Sequence, residues 1–194
     1  MSEQRFDQGR VTITDPQVMR ALAHPARLRI MEHLQSTGAS VSATECAEVV
    51  GLSPSATSYH LRALARFGLV EEAPGRGDAR ERLWRGTVQP WQFAAGQSAG
   101  PEARAAEGAL VEAFLARDIE RARDWVRRAS DEPPEWYDVA TLSDVMLLVT
   151  AEELAELNAA VRELLEPYRR RHRVADPPPG ARPVAVQYRA VPME

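Results

Sequence analysis

The sequence predicts a mostly α-helical chain with small β elements, an α+β fold, and three observations carry that prediction. Helix-start signals recur ahead of apolar residues spaced three and four apart. Two short extended runs flank a glycine-rich tip at 74–79. One unbroken helical period then runs from Glu102 to Ala129. With 194 residues, 44% of them hydrophobic and 27% charged, the chain can bury one large core or two small ones.

Residues 1–14 carry no helical period and read as an N-terminal arm, with Val11-Thr12-Ile13 a short strand. Asp15-Pro16 is a cap followed by proline at the first helical position, and opens a helix to Ala23. Pro25 opens a second helix, with Leu28, Met31 and Leu34 on one face and Gly38 near its end. Ser42-Ala43-Thr44-Glu45 spells a capping box, and that helix runs to Val50 and stops at Gly51. Ser53-Pro54 starts a fourth, continuing to Phe67 and ending at Gly68. Leu69–Ala73 and Arg80–Arg85 then form a hairpin, and 15–86 together make one domain.

Residues 87–101, rich in glycine and proline, read as a linker, and 102–194 as a dimerisation and C-terminal module. Along its first helix Leu110, Phe114, Leu115, Ile119 and Trp125 are the expected dimer contacts. After a break at Pro133-Pro134, Asp144–Val149 reads as a strand. A second capping box, Thr150-Ala151-Glu152-Glu153, opens a helix with the stripe Leu154, Leu157, Val161, Leu164 and Leu165. Val184, Val186 and Tyr188 alternate with Ala185, Gln187 and Arg189, the period of a half-buried strand. That strand is expected to pair with 144–149, because a lone strand leaves its backbone groups unsatisfied.

Composition excludes several function classes. The longest apolar run, Val145–Val149, is far too short to span a membrane, and no apolar stretch follows the first residues, so a cytoplasmic protein without membrane association is expected. The single cysteine, Cys46, rules out an internal disulfide or a cysteine-built zinc site in one chain. No nucleophile–base set, phosphate loop or metal cluster stands out, so neither an enzyme, a metal site nor a cofactor is expected. The net charge of −4 hides an uneven distribution: residues 1–86 hold 11 Arg against 10 acids, whereas 87–194 hold 13 against 18. Every cation is arginine, a planar donor fork suited to phosphate or guanine.

Short helices joined through Gly51, a capped further helix and a hairpin directly after it give the winged helix-turn-helix layout. On the helix 54–67, Thr57, Leu61 and Leu64 form the inward stripe, while Ser55, Tyr59, Arg62 and Arg66 form the outward one. Residues 53–68 contain no Asp or Glu. A basic face without carboxylates suits double-stranded DNA, whose phosphates and base acceptors repel acids. Ser53 and its neighbours add N–H donors at the helix start, where a phosphate can sit. From the hairpin, Arg76, Arg80 and Arg82 are candidates for phosphate contact, diluted by nearby acids.

Three blocks in this order, Ala21-Leu22-Ala23-His24-Pro25-Ala26-Arg27-Leu28-Arg29-Ile30, Ser53-Pro54-Ser55-Ala56-Thr57-Ser58-Tyr59-His60-Leu61-Arg62-Ala63-Leu64 and Phe67-Gly68-Leu69-Val70, resemble the ArsR family of winged-helix repressors over about residues 15–86. The resemblance implies a homodimer on a palindromic operator, with Ser55, Ser58, Tyr59, His60 and Arg62 as groove-facing candidates; for His60 an interhelical hydrogen bond within the fold is the equal alternative. The metal sites of that family use a cysteine pair before the recognition helix, or His and carboxylates on the long C-terminal helix. Ser42–Cys46 and the helix 102–129 carry neither, so a signal other than a metal, such as a small-molecule effector of the C-terminal module, fits better. A winged helix used for protein–protein interaction is the rival reading.

Overall fold

The computed structural model describes residues 6–7, 10–75, 82–87 and 91–193. The chain divides into two compact units, Met1–Arg117 and Asp118–Glu194.

The first unit is built on four helices with explicit starts. Helix α1 (Pro16–Leu22) begins where the Asp15 carboxylate accepts the Gln17 N–H at 2.8 Å. Helix α2 (Pro25–Thr37) is capped by a ring nitrogen, with His24 Nδ1 accepting the Ala26 N–H at 3.2 Å. Helix α3 (Ala43–Val50) has both halves of its capping box: Ser42 Oγ accepts the Glu45 N–H, and the Glu45 carboxylate accepts the Ser42 N–H. Gly51 ends α3 at φ 67°, a left-handed conformation that glycine enters without a Cβ clash. Helix α4 (Pro54–Arg66) follows, its start capped by Ser53. Met19, Leu22, Ile30, Met31, Leu34, Leu61 and Leu64 are fully buried and form one core among these helices.

Two small sheets flank the helices. Strand β3 (Val41–Ser42) pairs antiparallel with β5 (Leu83–Gly86), which pairs antiparallel with β4 (Val70–Ala73) in the register Val70↔Gly86 and Ala73↔Leu83. This is the expected wing. The other sheet has the order β1 (Phe6–Asp7), β2 (Arg10–Ile13), β6 (Trp91–Phe93). The linker reading of 87–101 is therefore corrected at 91–93, where a strand runs parallel to β2 with Val11 opposite Trp91. Its partner lies some 80 residues earlier in the chain, so no local pattern could reveal it.

Helix α5 (Pro101–Arg128) is the long helix expected. Its first turns belong to the core of the first unit: Ala106 and Leu110 are buried, and Phe114 stacks on Phe93 with ring centroids 5.3 Å apart. Leu110 is thus corrected from a dimer contact to a core residue, and Phe114 packs half-buried against that core. The reason is helical phase, since 106, 110 and 114 form one stripe that the unit already covers.

In the second unit, α5 ends in a single 3-10 turn, Ala129–Asp131, and the short helix α6 (Pro134–Tyr137) follows. Helix α7 (Ala151–Leu165) has its expected capping box at Thr150 and Glu153, and gives way to a 3-10 turn containing Pro167. Helix α8 (Arg170–Arg173) is one turn long. Arg169, Arg171 and His172 gather round Glu166 and hold its carboxyl down at about 2, the His172 hydrogen bond contributing most.

The strand–helix–strand reading is corrected here. Neither 144–149 nor 184–188 is a strand, and they do not pair. The tail is held by side chains instead: Arg182 meets the mostly buried Glu132 carboxylate at 2.6 and 3.1 Å, and Arg189 pairs with Asp118. Pro183 and Pro192 further deprive it of backbone donors.

Candidate nucleic-acid interface

Helix α4 separates its residues cleanly by face. Thr57, Leu61 and Leu64 are buried, as their spacing predicts, and fix the helix on the core. Ser53, Ser55, Tyr59, Arg62 and Arg66 are exposed on the other side, with Ser58 partly so. Tyr59, Arg62, Ala63 and Arg66 line a shallow hollow of about 250 Å³. The serines at the helix start are linked, Ser53 Oγ lying 3.1 Å from Ser55 Oγ while it accepts the Ala56 N–H.

What distinguishes Arg62 and Arg66 is that neither has an ion pair or hydrogen bond among the described residues. Among the described residues of the first unit, the other arginines from Arg20 onward are engaged. Arg20 pairs with Glu102, Arg82 with Glu72, Arg85 with Glu71 and Arg117 with Glu32. Arg27 donates to the Ala21 carbonyl, Arg104 donates to the Ala99 carbonyl, and Arg29 also has a partner. Among the described residues no ion pair or hydrogen bond satisfies Arg62 or Arg66, and the stretch 53–68 holds no carboxylate of its own.

The remaining expected residues fall differently. His60 is turned toward the protein: its ring lies 4.6 Å from that of His24, and its Nδ1 is buried without a partner. Both imidazoles are held below their usual pKa, first by burial; Arg27 adds to this at both rings, and His24 at His60. The contact across helices is one of the two readings open to His60, though its partner His24, a cap position before Pro25, was not legible. Arg82 does lie on the Trp84 side of the wing, 6.0 Å from that ring, but its charge is shared with Glu72. Arg76 and Arg80 lie outside the described residues.

On α5 the accessible apolar stripe is Val111, Leu115, Ile119, Ala122 and Val126, one position round from the buried one. Trp125 is half-buried, with the Arg128 guanidinium 5.1 Å from its ring. Cys46 is buried in α3 and its thiol is pushed up to about 11, which keeps it protonated and unreactive.

The class these features define is the winged helix-turn-helix. Residues 22–73 match the family model described as a helix-turn-helix domain. One matching structure is the homodimeric winged helix-turn-helix DNA-binding domain, fragment 1–100, of Mb0332 from Mycobacterium bovis, described as a possible ArsR-family transcriptional regulator. It is 26% identical, with 54% of this chain and 81% of that one covered, at a TM-score of 0.33. Another, described as a possible transcriptional regulator for arsenical resistance, is 25% identical over 56% and 94%, at 0.32. MarR from E. coli in its apo form is 15% identical over 78% and 88%, at 0.33. Scores this low leave the fold to rest on the chain's own elements. No curated protein matches the sequence. Among the described residues, no helix is long and apolar enough to cross a membrane.

Proposed function

We propose that the chain is a sequence-specific, non-catalytic transcriptional repressor of ArsR type that binds a palindromic operator as a homodimer. The carrying observation is the exposed, acid-free face of α4 with two arginines that have no ion pair or hydrogen bond among the described residues. Unpaired guanidinium forks gain most from a partner that supplies acceptors, and a recognition helix meets two kinds of them, phosphate oxygens and the O6/N7 edge of guanine. Tyr59 and Arg62 stand mid-helix, where base contact fits best. Arg66, near the helix end, and the Ser53–Ser55 start fit the flanking phosphates. Second-copy contact through Val111, Leu115, Ile119 and Val126 of α5 supplies the two-fold symmetry, with recognition helices about 34 Å apart.

Titration against the chain's own upstream DNA at several salt concentrations tests this. Steep salt dependence, with competition by the matching sequence alone, supports the repressor reading. Weak, sequence-blind binding points instead to a protein-interaction module. Within an operator complex, Arg62→Ala weakens binding by about 1–3 kcal/mol and relaxes one base position. Arg66→Ala weakens all sequences alike and lowers the slope of log K against log salt by about 1.

A further inference from the structure

Two straight runs in the second unit have no strand partner. Residues 140–150 and 181–193 contain no helix, turn, bend or bridge. Residues 141–150 are exposed throughout, and Val145, Met146, Leu147 and Leu148 each expose more than half their surface. Val184, Val186 and Val191 of the tail do the same.

The tail is extended and anchored. Arg182 pairs with Glu132 and Arg189 with Asp118, so the tail runs antiparallel to the end of α5 and the 3-10 turn that follows it. Both carboxylates are largely buried, so moving the tail onto its own 144–149 run would break two ion pairs, leaving Asp118 with Arg121 and Glu132 with Arg128.

The two runs also differ in kind. Val145–Val149 is apolar on both faces, the pattern of a central strand. The tail is apolar on alternate residues, the pattern of a strand with one face wet. A two-fold axis that doubles this set yields four strands, with the two-sided runs inside and the one-sided runs at the edges. The amount of surface also fits. A fully exposed aliphatic side chain offers about 60–120 Å², so the run Val145–Val149 with Val184, Val186 and Val191 exposes on the order of 300–650 Å² of apolar area. The apolar share of a stable interface, some 60% of ~800 Å² per partner, is roughly 480 Å².

We infer that a second copy of the chain covers these runs, the tail 184–191 of each copy pairing as a strand with the 144–149 run of the other. This rests on the homodimer reading and adds an exchanged sheet to it. Each copy would satisfy backbone groups that neither can satisfy alone.

The test uses the full chain in three arms. In sedimentation, Leu148→Lys is expected to raise the dimer dissociation constant at least tenfold. An equal mixture of the single variants Leu147→Cys and Val186→Cys is expected to give disulfide-linked dimers under mild oxidation, in excess over either variant alone. In hydrogen exchange, amides of 144–149 and 184–191 are expected to be protected in the dimer and to lose protection on dilution. Protection that persists in a monomer, with the double variant cross-linking within one chain, overturns the inference in favour of in-chain pairing. A dimer unaffected by Leu148→Lys and not cross-linked in the mixture overturns it while leaving the homodimer intact. A chain that is monomeric at every concentration, with or without operator DNA, overturns both.

Discussion

His24 performs two tasks that depend on its being neutral. Its Nδ1 accepts the first free N–H of α2, and its ring packs on His60 beside Arg27. Protonation turns the acceptor into a donor and places like charges side by side. Because both imidazoles are held below the ordinary 6.5, their stabilisation is present above that pH and is lost as pH falls through the lowered values. Urea midpoints measured at pH 7.5 and 5.5 should therefore fall on acidification, and His60→Gln should reduce the fall. A second expectation concerns Thr57, whose hydroxyl is buried with no partner. Thr57→Val keeps the shape and removes an unsatisfied oxygen, so it should stabilise by roughly 1 kcal/mol in chemical denaturation. Loss of stability would mean the hydroxyl has an acceptor after all.

The helix boundaries of the winged segment follow from caps that the sequence spells out. Asp15-Pro16, Ser42 with Glu45, Gly51, Ser53-Pro54 and Thr150 with Glu153 all occupy the roles their residue types predict. Each is a contact within three or four residues, which is why it is legible. Ser42→Ala removes one half of a two-sided cap and should cost about 1 kcal/mol. Gly51→Ala has open space around its Cβ but places a side chain at φ 67°, a cost of about 1–2 kcal/mol. The spacing of Ser55, Tyr59, Arg62 and Arg66 likewise located the exposed face of α4. His60 stayed open between the groove and an interhelical contact, because its neighbour His24 precedes another helix and periodicity carries no information about rings meeting across a core.

For the molecule as a whole, the long helix serves two ends. Its start completes the core of the first unit through Ala106, Leu110 and Phe114, and its exposed stripe continues through Ile119 and Val126. Leu110→Ala should thus destabilise the first unit by about 2–5 kcal/mol and abolish DNA binding through unfolding, visible as a lowered denaturant midpoint. Ile119→Lys should instead leave the fold intact and weaken self-association in sedimentation. Equal loss of stability in both variants would place Ile119 in a core as well.

The order of amino acids was sufficient to write the winged helix-turn-helix, because caps, turns and helical faces are decided by neighbours a few residues away. It also showed where the acid-free, arginine-bearing face of α4 would lie. Contacts across long stretches of chain were settled in three dimensions only. Strand β6 found β2 some 80 residues away, Leu110 turned to the core, and Arg82 was paired off by Glu72. The alternation at 184–188 shows the common physical reason. A pattern states which face of a segment wants cover, but the hydrogen-bonding neighbour that makes it a strand has to arrive from elsewhere in the fold.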